Sequence, residues 1–123
     1  MHVDVCVDAT SLSRARAEVA AALGQWGFTD TVAIDGALVV VSELIGNALR
    51  YGGQLVAVQL DRSVDGVVVS VLDSSCALPQ QRLPDAGSEH GRGLRLISAF
   101  SSAWGAEPRV GGKRVWALLR LPA

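Results

Sequence analysis

Apolar and polar positions recur along the chain with two distinct periods, and each change of period marks an element. Val3, Val5 and Val7 are separated by polar or small neighbours, the two-residue period of a half-buried strand. From Leu12 the apolar positions fall at Leu12, Ala15, Val19, Leu23 and Trp26, which is helical spacing, with Thr10 or Ser11 available as a cap and Gly27 after the end. Asp30 can cap a second helix, with a buried stripe of Ala33, Ala37, Val40, Val41, Leu44, Ile45 and Ala48 closed by Gly52 and Gly53. The β-rich runs QLVAVQL and VVVSVLD flank DRSVDG, where Asp65-Gly66 is a turn signal, so the pattern predicts a hairpin whose second strand ends at Asp73. Ser74 to His90, interrupted by Pro79 and Pro84, has no sustained period, and loops of that length are usually functional or disordered. Leu94, Ile97, Phe100 and Ala103 predict a third helix opening at GRGL, and SAWGAEP with KRVWALLRL about Gly111-Gly112 reads as a closing hairpin.

The order β-α-α-β-β-loop-α-β-β predicts an α+β fold, a two-layer sandwich of a mixed, mostly antiparallel sheet and about three helices, rather than a parallel doubly wound sheet. No repeat, linker or low-complexity tract divides it, so residues 1–123 are expected to form a single domain. With 123 residues, 50% of them hydrophobic, one compact core is expected. Eleven basic residues against twelve acidic ones give a net charge of −1, which lacks the basic excess that binding to a phosphate backbone requires. Nucleic acid is therefore not an expected partner. Cys6 and Cys76 lie far apart without the spacing of a zinc site or a disulfide framework, as expected of reduced thiols in a cytoplasmic protein. MHVDVCVDAT lacks the cationic start of a signal peptide, and the longest apolar run, Ala37 to Val41, is too short to cross a bilayer, so no membrane association is expected.

Candidate chemistry is concentrated in three places. Glu43 and Asn47 lie one helical turn apart in VVSELIGNALRYGG and share a face of the helix that also carries Arg50. Gly46 between them costs about 1 kcal/mol of helix propensity relative to alanine. An amide oxygen suits magnesium and a nearby carboxylate can orient or deprotonate a nucleophile, although the same pair also reads as a solvated polar face. Asp73 ends a strand whose face is otherwise Val67, Val69 and Val71; a carboxylate there is costly unless a donor pairs with it, and it can serve as a cap or as the acceptor for a ligand amine. GRGL, Gly91 to Leu94, could turn backbone N–H groups and a helix N-terminus toward phosphates, yet it lacks the third glycine of the dinucleotide fingerprint, and GGKR around Lys113 lacks the P-loop spacing. His2 and His90 read as surface residues, and Trp26, Trp104 and Trp116 as core.

Taken in order, Glu43-xxx-Asn47 on a helix, Asp73 at a strand end, a long loop, Gly91-x-Gly93-Leu94 and the GGKRVW hairpin resemble the histidine-kinase-like ATPase superfamily, whose ATP-binding fold is of the Bergerat type. Within it the chain is similar to the short bacterial anti-sigma-factor serine/threonine kinases of the SpoIIAB/RsbW type. VSELIGNALRYGG resembles that family's N-box, VLDSS its adenine box and GRGLRLI its second glycine box. The resemblance implies ATP and Mg2+ as cofactors, with Glu43 as the general base, Asn47 as the magnesium ligand and Asp73 as the acceptor for the adenine amine. It further implies that Arg50, Ala77, Gly91, Arg92, Gly93 and Leu94 contact the nucleotide and that Ser74 to His90 is the ATP lid. The partners it implies are a sigma factor, sequestered by one surface, and an anti-anti-sigma protein of the STAS type, phosphorylated on serine or threonine, with a homodimer as the assembly.

The chain departs from that pattern at several positions. Ser75 and Ala77 stand where the adenine box usually carries glycines, Arg114 stands where the last hairpin often has threonine, and Glu89 and His90 precede the glycine pair in place of an arginine. These departures favour nucleotide binding over phosphoryl transfer. The competing expectation is a nucleotide-dependent or nucleotide-free module that captures a regulator without kinase activity.

Overall fold

The computed structural model describes residues 1–5, 12–51, 55–74 and 89–122. Along the chain lie β1 (His2–Val5), α1 (Leu12–Gln25), α2 (Thr31–Tyr51), β2 (Leu55–Ser63), β3 (Gly66–Asp73), α3 (Glu89–Phe100), β4 (Ala103–Arg109) and β5 (Gly112–Leu119). This is the predicted α+β order. The strands form one five-stranded sheet in the order β1-β2-β3-β5-β4, and each neighbouring pair is antiparallel. The parallel component expected of a mixed sheet is absent among the described strands: tight hairpins reverse the chain between β2 and β3 and between β4 and β5, and the β1–β2 and β3–β5 pairs are antiparallel as well.

Strand alternation decides which side of the sheet becomes the core. Val58 and Leu60 of β2, Val67, Val69 and Val71 of β3, and Val115, Ala117 and Leu119 of β5 are buried in one cluster with Val40, Val41, Leu44 and Ile45 of α2. Each such aliphatic side chain contributes about 1.5–3 kcal/mol when fully withdrawn from water. On the opposite face Val68, Leu72, Arg114, Trp116 and Leu118 are only half-buried. Trp116 is thus not a core residue as its composition suggests. It lies on the outer face with the Arg114 guanidinium 5.9 Å from its ring centre, while Trp26 and Trp104 do pack against the core.

Helix boundaries follow local chemistry where that chemistry is described. The Ala33 N–H donates to Asp30 Oδ1 at 3.1 Å, the predicted cap of α2. The expected caps Thr10 and Ser11 of α1, the stop at Gly52 and Gly53, and Val7 of the first strand lie outside the described residues. Val64 and Asp65 turn the β2–β3 hairpin, and Gly66 follows at φ +136°, where a Cβ would also overlap the Leu119 carbonyl. The third helix ends at Phe100, so Ala103 opens β4 and is not helical, and Phe100 is 49% exposed while flanking Gly36 of α2.

α2 is long and apolar enough, over Thr31–Leu49, to cross a membrane by length and composition alone, which the short apolar runs of the sequence did not suggest. Its stripe from Ala37 to Ala48 is nevertheless spent on the sheet and on α1 and α3, as in the central helix of a globular domain.

At the sheet edge, His2 was expected to stand alone on the surface. It is on the surface, but its Nδ1 lies 2.6 Å from Asp61 Oδ1 on β2 and its Nε2 2.8 Å from Asp4 Oδ1. Hydrogen bonds to Asp61 first and Asp4 second raise the imidazole pKa above its ordinary 6.5. Protonated His2 is therefore favoured in the folded state, so its contribution is fully present below the unfolded value and is lost as pH rises through the raised folded value. Amide exchange in β1 should accelerate relative to the rest of the sheet as pH passes upward through that range, after correction for intrinsic exchange. In His2→Gln this additional acceleration should vanish.

Candidate functional site

The polar residues of α2 sit at the flank of its apolar stripe. Val41, Leu44, Ile45 and Ala48 turn to the core, and the same helical period leaves Glu43 half-buried and Asn47 only 8% exposed one turn further on. Neither Asn47 Oδ1 nor Nδ2 has a hydrogen-bond partner among the described residues, and both atoms are buried. Leaving such a group unsatisfied costs about 1–3 kcal/mol. Native folds satisfy nearly all such groups, so a partner for this amide comes from beyond the described residues. Asn47 is thus not on a solvated face, while Glu43 stands half-exposed at its margin.

Asp73 ends β3 on the core side, in line with Val67, Val69 and Val71, and has the donor that its position demands. Lys113 Nζ lies 3.1 Å from Asp73 Oδ1, with the two side chains 5% and 1% exposed. Register creates this pair. Val71 lies opposite Val115, and one step on Leu72 lies opposite Arg114, so the next core-facing pair is Asp73 with Lys113. Gly112 allows the close approach, since a Cβ there would overlap the Asp73 carbonyl. Lys113 was weighed in the sequence only as a failed P-loop lysine, and its role beside Asp73 was missed. The available signal was its place in the alternation Lys113, Val115, Ala117, Leu119, a cation on an otherwise apolar face. Arg114 points the other way, its Nε donating to Ser70 Oγ at 3.0 Å and its Nη1 meeting Glu107 Oε1 at 3.1 Å.

The remaining candidates are placed less fully. Arg50 belongs to α2, and Gly91, Arg92, Gly93 and Leu94 belong to α3, but only their backbone is described. α3 begins at Glu89, ahead of the predicted opening at Gly91, so Glu89 and His90 are helical and the glycine pair falls inside the first turns. Its free N–H groups accordingly start at Glu89. Ala77, Ser75 and the body of the expected lid lie outside the described residues. Among the described residues no cluster of three or more His, Cys, Asp or Glu side chains suits a metal ion. A magnesium ion here would need oxygens from its ligand as well as from the protein, and the unpartnered Asn47 Oδ1 fits that requirement.

Residues 6–118 match the family described as the histidine kinase-like ATPase domain. The chain belongs to that family. Membership makes it an ATPase-type domain and implies ATP as its ligand, in keeping with the antiparallel sheet and the helices on one side of it. Among solved structures, the crystal structure of the RsbU and RsbW domains of Rv1364c from Mycobacterium tuberculosis is similar, with a TM-score of 0.70 and 22% identity. The match covers 100% of this chain and 33% of that one, so the chain spans about a third of the neighbour's length and shares its fold over that part. No curated protein matches this chain.

The buried ion pair carries a direct stability consequence. Asp73→Ala would leave the Lys113 ammonium buried without its carboxylate and should destabilise the domain by about 3–5 kcal/mol. Asp73→Leu combined with Lys113→Met removes both charges and should recover most of that loss. Urea unfolding of the two variants beside wild type measures the difference.

Proposed function

We propose that this domain is an ATP-binding regulator, with Asn47 as the magnesium ligand, Asp73 as the acceptor for the adenine amine and Glu43 as the base that receives a proton from a partner's hydroxyl. The observation that carries this reading is the buried Asn47 amide, unpartnered among the described residues and one helical turn from a half-buried carboxylate. A carboxylate at Glu43 is within helical reach of a group held at Asn47, and proton transfer of this kind typically contributes 10²–10⁴-fold to a rate. Magnesium, when bound, would neutralise charge developing on the transferred phosphoryl group. Arg50 and the backbone from Gly91 to Leu94 complete the nucleotide contacts in this reading, with Ala77 and the segment around it forming the cover.

In its full form the proposal is an anti-sigma factor that phosphorylates a serine or threonine of a STAS-type anti-anti-sigma protein and binds a sigma factor on a competing surface, in the cytoplasm and as a homodimer. The RsbW domain in the similar solved structure supports that direction by fold. A second reading, a regulator-binding module without phosphoryl transfer, is favoured by the Lys113 ammonium already seated on the Asp73 carboxylate.

Two substitutions separate binding from catalysis. Glu43→Ala should bind Mg-ATP with near wild-type affinity and lose phosphate transfer by about 10²-fold or more. Asn47→Ala should lose the magnesium-dependent part of ATP affinity and activity with it. ATP affinity measured beside radiolabel transfer to a candidate anti-anti-sigma protein checks both; wild-type protein that binds ATP and labels no such partner would leave the second reading.

A further inference from the structure

We infer that a pocket at the end of the sheet away from Asp73 is a docking site for a carboxylate-bearing segment of a partner protein, held by Arg62 and Arg120. The inference stands apart from the nucleotide reading. Gly66 and Asp73 are the two ends of β3, and its eight residues set them roughly 23 Å apart, so the two places are separate sites. The pocket, of about 460 Å³, opens between the β2–β3 hairpin, the stretch after β5 and the connection from α1 to α2. That volume is in the range of ligand sites. Phe28, which is buried, and Leu121, which packs on the core, give the pocket an apolar wall. The hairpin and the stretch after β5 approach closely because Gly66 has no Cβ, which would overlap the carbonyl of Leu119, the residue before Arg120. The Ser63 hydroxyl, donating to the Gly66 carbonyl at 3.4 Å and accepting from the Asp65 N–H at 3.3 Å, holds the hairpin in shape.

Arg62 is set in place by the fold itself. Its Nη1 donates to the Trp26 carbonyl and its guanidinium lies 4.7 Å from the centre of the Phe28 ring, so two contacts on the α1–α2 connection fix the fork. A guanidinium has five N–H donors, and the Trp26 carbonyl takes one of them. Arg120 is exposed and makes no hydrogen bond or ion pair among the described residues. The lining therefore carries two guanidiniums against one carboxylate, Asp65, a local positive excess in a chain whose formal charge is −1. A fork already oriented matches a carboxylate through two parallel N–H···O bonds. Asp65 repels a dianion such as phosphate more than a singly charged carboxylate, which decides between the two anions. The occupant is a protein segment because apolar contact continues past the cations: Leu121 lies within the pocket and Val64, fully exposed, stands at the hairpin tip beside it. A free ion would use neither.

Titration of the domain with a synthetic peptide of alternating Glu and Leu, followed by amide chemical shifts, tests this beside the Gln-for-Glu peptide and inorganic phosphate. The Glu peptide should shift the amides from Ser63 to Gly66 and those of Arg120 and Leu121, and added salt should weaken it. Arg62→Gln should weaken the peptide by about tenfold or more, the worth of a hydrogen bond between charged groups. Arg120→Gln, at an exposed position, should weaken it by about three- to fivefold and keeps the test decisive if loss of the Trp26 contact unfolds the first variant. ATP affinity should stay unchanged in Arg120→Gln, so failure here and failure of the nucleotide reading are told apart. Equal affinity for the Gln peptide overturns the carboxylate, and an equal or stronger response to phosphate overturns the protein segment in favour of a free anion. Folded variants that bind like wild type, or a Glu peptide that moves none of these amides, overturn the site itself.

Discussion

The helix-facing row of β3 and β5 is the constraint on which the rest of the domain depends. Val67, Val69 and Val71 face α2 together with Val115, Ala117 and Leu119, and the alternation that buries them forces the next pair, Asp73 and Lys113, to point the same way. A one-residue slip would send the whole valine row to the outer face. Register is thus held by burial, and the charged pair at the end of the row is a consequence of it. Two charges withdrawn from water together are weak evidence of a stability device, because apolar replacements of similar volume often serve as well. The pair closes an apolar row that packs against the central helix.

The fold was largely legible because its strongest signals are local. α2 declares itself by a 3.6-residue stripe and by Asp30, whose side chain does accept from Ala33, and the β2–β3 hairpin by valine-rich strands around Asp65-Gly66. The closing hairpin was found from Gly111-Gly112 in the same way. What was not legible depends on pairing across the chain. The strand order, with β5 inserted between β3 and β4, brings Lys113 beside Asp73 across 40 positions of sequence, and no local period reports that. The outward turn of Trp116 follows from the same register, since it alternates with core-facing Val115 and Ala117. α3 starts early because Glu89 and His90 join its first turn, which residue pattern alone placed in the loop.

The candidate site divides along the same line. Glu43 and Asn47 could be paired from the sequence by helical spacing, and Asp73 could be singled out as a carboxylate on an apolar face that needs a donor. The identity of that donor could not be read. Once it is known, the two halves of the site differ in character: Asn47 is buried with its amide unpartnered among the described residues, whereas Asp73 is already engaged by a cation.

Calorimetric titration of wild-type protein with ATP, once with magnesium and once with a chelator, addresses the central claim most directly. The account predicts saturable binding of one nucleotide per domain with magnesium and a clear loss of affinity without it, because Asn47 is read as contributing through the metal. Absence of any binding heat with Mg-ATP, or an affinity indifferent to magnesium, would contradict it.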